Sequence, residues 1–325
     1  MTFYGLPPHE STGDRRVRTP SALVIFDVTI AIARPAACGR SNGIAGTFDG
    51  TAVRGKVGFI TGAARGQGRS HAVRFAEEGA DIIAVDLCAQ IESVSYAMAQ
   101  PEDLDETVNL VEKTGRRIVA EHADVRDFRQ LQSVVDAGEK EFGRIDFVLA
   151  NAGIAPGIGQ QAPHTSAYLD AVNVMLNGVY FTVEAAVPAL LRHGDGGAIV
   201  ITSSAAGLKS ASASFGTRNH GTAGYTAAKH GTVGLMRYFA ATLAEKNIRV
   251  NSVHPTGVAT PMILNDCIGR YATEHPEFAE AFRNLLPVSN IDPTDVTEAM
   301  IYLCGRSGRY ITGVTLPVDA GLTLK

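Results

Sequence analysis

The sequence lacks the features that announce metal, nucleic-acid or membrane proteins. Its four cysteines, Cys38, Cys88, Cys267 and Cys304, form no CxxC pair and keep no metal-ligand spacing. That excludes a cysteine-built metal or redox motif and fits reduced thiols in a cytoplasmic protein. There is no basic tract: 29 Lys and Arg are spread among 33 Asp and Glu, for a net charge of −4. Neither nucleic acid nor an anionic membrane surface is expected as a partner. A long uninterrupted apolar run is missing too. The nearest approach, "SALVIFDVTIAIARPAACG" at 21–39, is broken by Asp27 and Arg34. It is too short and too charged to span a bilayer, and its polar lead is too long for a signal peptide.

The stretch before it, "MTFYGLPPHESTGDRRVRTP", is polar, rich in proline and aperiodic. Residues 1–53 therefore read as an N-terminal extension, disordered or dispensable, ahead of one domain at 54–325. Within that domain short apolar β-rich runs recur: "KVGFIT", "DIIAVD", "RIVAEHAD", "IDFVLANAG", "AIVITSS" and "IRVNSVHP", with "VTLPVD" near the end as a seventh. Helical stretches alternate with them. Strands apolar on both faces, alternating with helices, imply an α/β fold with a mostly parallel seven-stranded sheet covered on both sides.

The first strand runs into "TGAARGQG" and then a helix. Gly62, Gly66 and Gly68 allow a tight turn and close approach of backbone N–H groups to a pyrophosphate at the helix N-terminus. Asp86 ends the second strand eighteen residues past Gly68, near the spacing expected of a carboxylate on the ribose hydroxyls of NAD. Arg65 within the turn is a counter-signal, since a cation there can attract the extra phosphate of NADP. Asp86 would face that phosphate directly, so NAD is preferred and Arg65 reads as a solvated loop residue.

"YTAAKHG" places Tyr225 and Lys229 four residues apart on one helix face. A free phenol, with a pKa of about 10, is a poor base at neutral pH; a neighbouring ammonium is expected to lower it toward the working range. Ser203 and Ser204 end a strand, where open α/β sheets present ligand-binding groups.

TGxxxGxG, "NAG" at Asn151–Gly153, SSxxG at Ser203–Gly207, YxxxK and "HPTG" at His254–Gly257 follow in one order. The chain thereby resembles the short-chain dehydrogenase/reductase family over essentially all of 54–325. The resemblance implies a single Rossmann-type doubly wound domain that moves a hydride directly between nicotinamide and a carbinol or carbonyl carbon, with no metal. It implies Tyr225 as acid/base, Ser204 as the partner orienting the substrate oxygen, and Lys229 as ribose anchor and pKa modulator. Ser204 is preferred to Ser203 because the family's serine is the second of the pair. Cofactor contacts are implied at Gly62, Arg65, Gly66, Gly68, Asp86 and Leu87, with Asp124 and Val125 by the adenine and Asn151, Ala152 and Gly153 by the ribose. Pro255, Val258 and Thr260 would border the nicotinamide, and the family's helices, here around 166–193 and 223–246, would build a homotetramer.

Two departures stand out. The family's relay asparagine lies three residues before a helical glycine, but three before Gly178 is Met175. Asn173 and Asn177 flank it, each turned by about 200° around a regular helix. Either water completes the relay or the backbone shifts to offer Asn177. The interval from Ser204 to Tyr225 is also long; its polar, glycine-rich insert reads as a solvated loop or as a pocket rim carrying Arg218 or His220. The segment at about 259–290 reads as a substrate lid, and its Met262, Ile263, Leu264, Tyr271 and Phe282 suit an apolar alcohol or ketone.

The connection at 87–101, "LCAQIESVSYAMAQP", has no helical or strand period and directly follows Asp86. Together with "TGAARGQGRSHAVRFAEEGADIIAVD" and "YTAAKHGTVGLMRYFA" it is similar to the mycofactocin-coupled, carveol dehydrogenase-like subgroup. That similarity implies a loop folded over NAD, which is retained between turnovers and reoxidised by mycofactocin, a redox peptide. Ile91, Val94, Tyr96 and Met98 would cover the adenosine, and the loop would order only with ligand present. The remaining alternatives are an ordinary family member exchanging free NAD(P) and a non-catalytic NAD-binding protein.

Overall fold

The computed structural model describes residues 52–212 and 214–325. The extension expected over 1–53 lies outside the described residues except at its end, where the Ala52 N–H donates to Glu78 and Val53 is buried in the core.

Seven strands form one sheet: β1 (Val57–Thr61), β2 (Asp81–Asp86), β3 (Ile118–His122), β4 (Phe147–Ala150), β5 (Gly197–Thr202), β6 (Ile248–Pro255) and β7 (Thr315–Val318). Their order is β3-β2-β1-β4-β5-β6-β7, and every pairing is parallel. Central strands such as β1 are buried along their whole length, which is why they lack the alternation of a one-faced sheet.

The helices that cover the two faces are α1 (Gly66–Glu77), α2 (Pro101–Lys113), α3 (Phe128–Phe142), α4 (Thr165–Val172), α5 (Gly178–Arg192), α6 (His220–Leu243) and α9 (Pro293–Cys304). Two short ones, α7 (Asp266–Glu274) and α8 (Pro276–Ala281), occupy the segment expected to be a lid. One core cluster centres on Phe59, Val148 and Phe239, and the other on Ile60, Phe75 and Phe147. By length and composition the stretch Thr165–Arg192 could cross a membrane, but here it is a core element packed against α3 and α6.

A π-turn at Asn173–Asn177 joins α4 to α5, closed by the Gly178 N–H donating to Asn173 O. Gly178 lies hard against the loop after β3: a Cβ there would come within 2.8 Å of Val125 Cγ2. The extra residue in the turn re-aims the helix so that only hydrogen faces that loop.

Two histidines are buried away from water. His71 on α1 bonds Thr297 on α9 at 2.8 Å, and burial pushes its pKa down to about 3. His254 on β6 is likewise pushed by burial to about 4. Both are neutral when folded and free to protonate once unfolded, so the unfolded chain binds more protons between the ordinary value of 6.5 and these folded values. Stability is therefore expected to fall as pH drops below about 6.5. Urea titrations from neutral pH downward check this: wild type should lose stability more steeply than His71→Leu, by up to about one proton in slope. Parallel profiles would remove His71 from the account.

Candidate active site

Two cavities open at the C-terminal ends of the strands. The first is a cleft of about 140 Å³ beside β1, β2 and β4. Of the residues expected to hold cofactor, Gly62, Arg65, Gly66, Gly68, Asp86, Leu87, Asp124, Val125, Asn151, Ala152, Gly153 and Thr260 all line it. Gly62 has a φ of +68°, and a Cβ on Gly68 would stand 1.9 Å from Gly62 O, so the turn tolerates no side chain at either position. The α1 N-terminus has no side-chain cap and no acidic residue in its first turn. Its free N–H groups and positive dipole end suit an anion. The Gln67 carboxamide oxygen, buried at the cleft, also lacks a protein partner. An N–H-rich turn below an acidic strand end fits the pyrophosphate and ribose of a dinucleotide.

The Asp86 carboxylate accepts from the Ala64 N–H at 3.0 Å and the Cys88 N–H at 3.2 Å. These bonds fix its orientation, with Cys88 in a left-handed conformation (φ +50°). The Asp124 carboxylate is gripped by the Arg126 guanidinium, which also reaches Asp170. The Asn151 side chain, expected by the ribose, instead donates to Thr61 O and accepts from Thr202. Val258 lines neither of the two cavities; it is buried and bridges to Ile291.

The connection after Asp86 closes over this cleft. Ile91, Tyr96 and Met98 face it, whereas Val94 packs into the core. The segment is hydrogen-bonded within itself and to its neighbours. Gln90 is its internal hub: its amide donates to Val94 O at 2.8 Å and to Ile91 O, and its oxygen accepts from the Met98 N–H. Ser93 donates to Asp170, Ser95 donates to Ile158 O, and the Tyr96 phenol accepts from the Ala155 N–H. Arg65, read from sequence as a solvated residue, donates to Ala97 O at 2.5 Å and so latches the segment to the glycine turn. These contacts join the segment to the glycine turn, α4 and the loop after β4, and sequence periodicity cannot reveal them.

The second cavity, about 520 Å³, lies over β5 and β6 and shares Met262 with the cleft. Ser204, Tyr225 and Pro255 line it, with Ile158, Met262, Ile263, Leu264, Ile268, Phe278 and Phe282 around them. Among the described residues, no Asp, Glu, Lys, Arg or His is in its walls. Tyr271, expected here, is not among the lining residues; it packs edge-on against Phe278 and tilted against His275. Arg218 and His220 are exposed to solvent; from the insert it is Ala211 and Thr222 that reach the cavity.

Burial raises the Tyr225 pKa, and its bond with Ser204 lowers it. Lys229 sits beneath, its Nζ 5.8 Å from the Tyr225 ring and donating to Thr202 O at 2.8 Å. Burial pushes the ammonium down to about 7. The expected depression of the phenol by Lys229 is therefore not the dominant influence, because desolvation disfavours the charged form of both groups. Ser203 is buried and committed to Lys229 O, leaving Ser204 as the serine in the cavity. Asn177 is not offered to the site: it is exposed and bonds Asn173 at 3.0 Å. Met175 is fully buried, with its sulfur near Gly153.

Residues 62–323 match the family described as enoyl-(acyl carrier protein) reductase. The chain is 50% identical to an oxidoreductase of Mycobacterium tuberculosis (strain CDC 1551 / Oshkosh) over 84% of its own length and 98% of the relative. It is 45% identical to (−)-trans-carveol dehydrogenase of Rhodococcus erythropolis, over 84% of this chain and 99% of that one. The crystal structure of a carveol dehydrogenase from Mycobacterium avium, in complex with NAD, superposes with a TM-score of 0.78 at 45% identity, covering 85% of this chain and all of that one. At half identity over nearly the whole of a relative, and with the family match running from the glycine turn almost to the C-terminus, the chain belongs to the short-chain dehydrogenase/reductase family.

Proposed function

We propose that this protein is an NAD-dependent dehydrogenase that moves a hydride between an uncharged, apolar secondary alcohol, terpenoid-like in character, and a nicotinamide that it keeps bound. The observation that carries the reading is the Ser204–Tyr225 pair opening into an apolar cavity that meets the dinucleotide cleft at Met262. A bound NAD supplies the hydride acceptor. Tyr225 takes the hydroxyl proton of the alcohol, Ser204 orients its oxygen, and Lys229 stands ready for a ribose hydroxyl. Asp86 at the end of β2 disfavours the extra phosphate of NADP. Relatives named as carveol dehydrogenases, one of them solved with NAD, support both the cofactor and the substrate class.

Retention is favoured by the anchored segment at 87–100, which ties the glycine turn to α4 and to the loop after β4. The electrons would then leave through mycofactocin rather than by exchange of free NADH. A homotetramer in the cytoplasm completes the reading. Tyr168, Leu169, Tyr180 and Tyr238 lie exposed on the helices that would meet there, and residues 1–53 would be dispensable.

Replacing Tyr225 with Phe should lower the single-turnover rate of bound NAD reduction with carveol by about 10²–10⁴-fold, the usual contribution of a positioned acid/base, while leaving cofactor content unchanged. An unaltered rate would remove Tyr225 from the mechanism. Retention is read by denaturing extensively dialysed protein and assaying the supernatant, with stoichiometric NAD(H) expected. Arg65→Ala breaks the latch to Ala97 and should release NAD roughly two- to tenfold faster, as suits one partly exposed charged hydrogen bond. An empty, freely exchanging site in wild type would favour an ordinary NAD-cycling enzyme.

A further inference from the structure

We propose that His254 is a positioning residue for Ser204, a strut from β6 that fixes where the serine hydroxyl meets Tyr225; this rests on the catalytic role proposed for Ser204 above. The need for a strut follows from the way β5 ends. Its ladder stops when the Ser203 N–H donates to Val253 O at 2.9 Å. The Ser203 hydroxyl is used on Lys229 O, and Thr232 donates to it in turn. Ser204 then leaves the sheet with an extended backbone (φ −170°, ψ 162°) and opens a three-residue turn whose Ala206 N–H donates to its Oγ at 3.1 Å.

The Ser204 carbonyl lies beyond the last sheet pairing; the Gly207 N–H donates to it at 2.8 Å from within the turn, and His254 meets it from β6. Nδ1 stands 2.8 Å from Ser204 O, and Nε2 stands 2.9 Å from Ser252 Oγ. A carbonyl can only accept, so Nδ1 carries the hydrogen and Nε2 accepts from the Ser252 hydroxyl. The ring is fully buried, and turning it would leave its Nδ1 hydrogen and the Ser252 hydroxyl without partners, although Ser204 O would keep the Gly207 N–H. Burial keeps it neutral, which preserves this one arrangement of donors. Backbone, hydroxyl and carbonyl of Ser204 are thus each held from a different direction, and only His254 reaches across from a neighbouring strand.

The test is a double-mutant cycle in the NAD-bound enzyme, read as the single-turnover rate of NADH formation with carveol. His254→Phe keeps the ring volume and removes both bonds; His254→Asn keeps a donor for the Ser204 carbonyl. His254→Phe should slow turnover roughly 10- to 100-fold, within the coupling range of residues in one hydrogen-bond network, with NAD content unchanged. His254→Asn should recover most of the rate. In a Ser204→Ala background the same His254→Phe change should alter the rate by less than about twofold, because its effect passes through the missing hydroxyl. Should His254→Phe fail to fold, Ser252→Ala frees the far side of the ring and should show a smaller loss that also vanishes without Ser204. Equal losses in both backgrounds, or a wild-type rate in His254→Phe, overturn the proposal. A wild-type rate in Ser204→Ala overturns the serine's catalytic role and the strut with it.

Discussion

The carboxamide of Asn151 joins the three strand ends on which the rest of the site depends. It donates to Thr61 O at 3.0 Å on β1 and accepts from Thr202 Oγ1 at 3.2 Å on β5, while its own N–H returns to Thr61 Oγ1. The junction lies where the strand order reverses between β1 and β4, the place where open α/β sheets part to admit a ligand. Such a crevice is a weak point, because strand ends there lose their neighbours and expose carbonyls. One side chain with donors and an acceptor closes it. The glycine turn follows Thr61 and the serine pair follows Thr202, so cofactor cleft and chemical cavity take their relative position from Asn151.

That frame also explains the electrostatics below it. Lys229 is buried with its Nζ donating to Thr202 O, and burial pushes its pKa down to about 7. Tyr225 is raised by the same burial. The two groups therefore share a preference for neutrality, and proton movement at Tyr225 depends on charge and hydrogen bonding that bound molecules bring. Ser204 is the protein's own lever on the phenol, so a small displacement of that serine matters.

Most of the frame was legible in the sequence because it rests on local rules. The boundaries of β2 and β6 coincide with their apolar runs, and the glycine turn, Asp86, Ser204, Tyr225 and Lys229 fall where strand ends and helix faces demand. What escaped reading depends on contacts distant in sequence. The π-turn exists because Gly178 must approach Val125, which no periodicity encodes. Arg65 looked solvated because its acceptor, Ala97 O, lies across a cleft. The apolar side chain of Val258 packs into the core, a contact its motif does not encode. Arg218 and His220 were attractive as chemistry-bearing side chains, yet the insert turns them outward and presents Ala211 and Thr222. His254 hid behind the motif that names Pro255, since a lone histidine on a buried strand is ordinarily a packed one.

The connection at 87–100 shows how an aperiodic segment can satisfy its backbone without a ladder or a helix. It has no ladder and no helix, so its backbone groups need other partners, and Gln90 supplies several of them from within. Its outer anchors fall on three separate elements: the glycine turn through Arg65, α4 through Ser93, and the loop after β4 through Ser95 and Tyr96. Ser95 fits because residue 159 is glycine; a Cβ there would stand 1.8 Å from its hydroxyl. Hydrogen bonds of this kind contribute roughly 0.5–1.5 kcal/mol each, and more where one partner is charged. Singly they would delay a departing ligand little. Because they grip different elements, however, lifting the segment from the cleft breaks several together, and their contributions add to one barrier. The last anchor matters for more than retention, since Ala155 and Ile158 also wall the substrate cavity. Whatever moves the segment off the adenosine side must also disturb the wall against which an alcohol would rest.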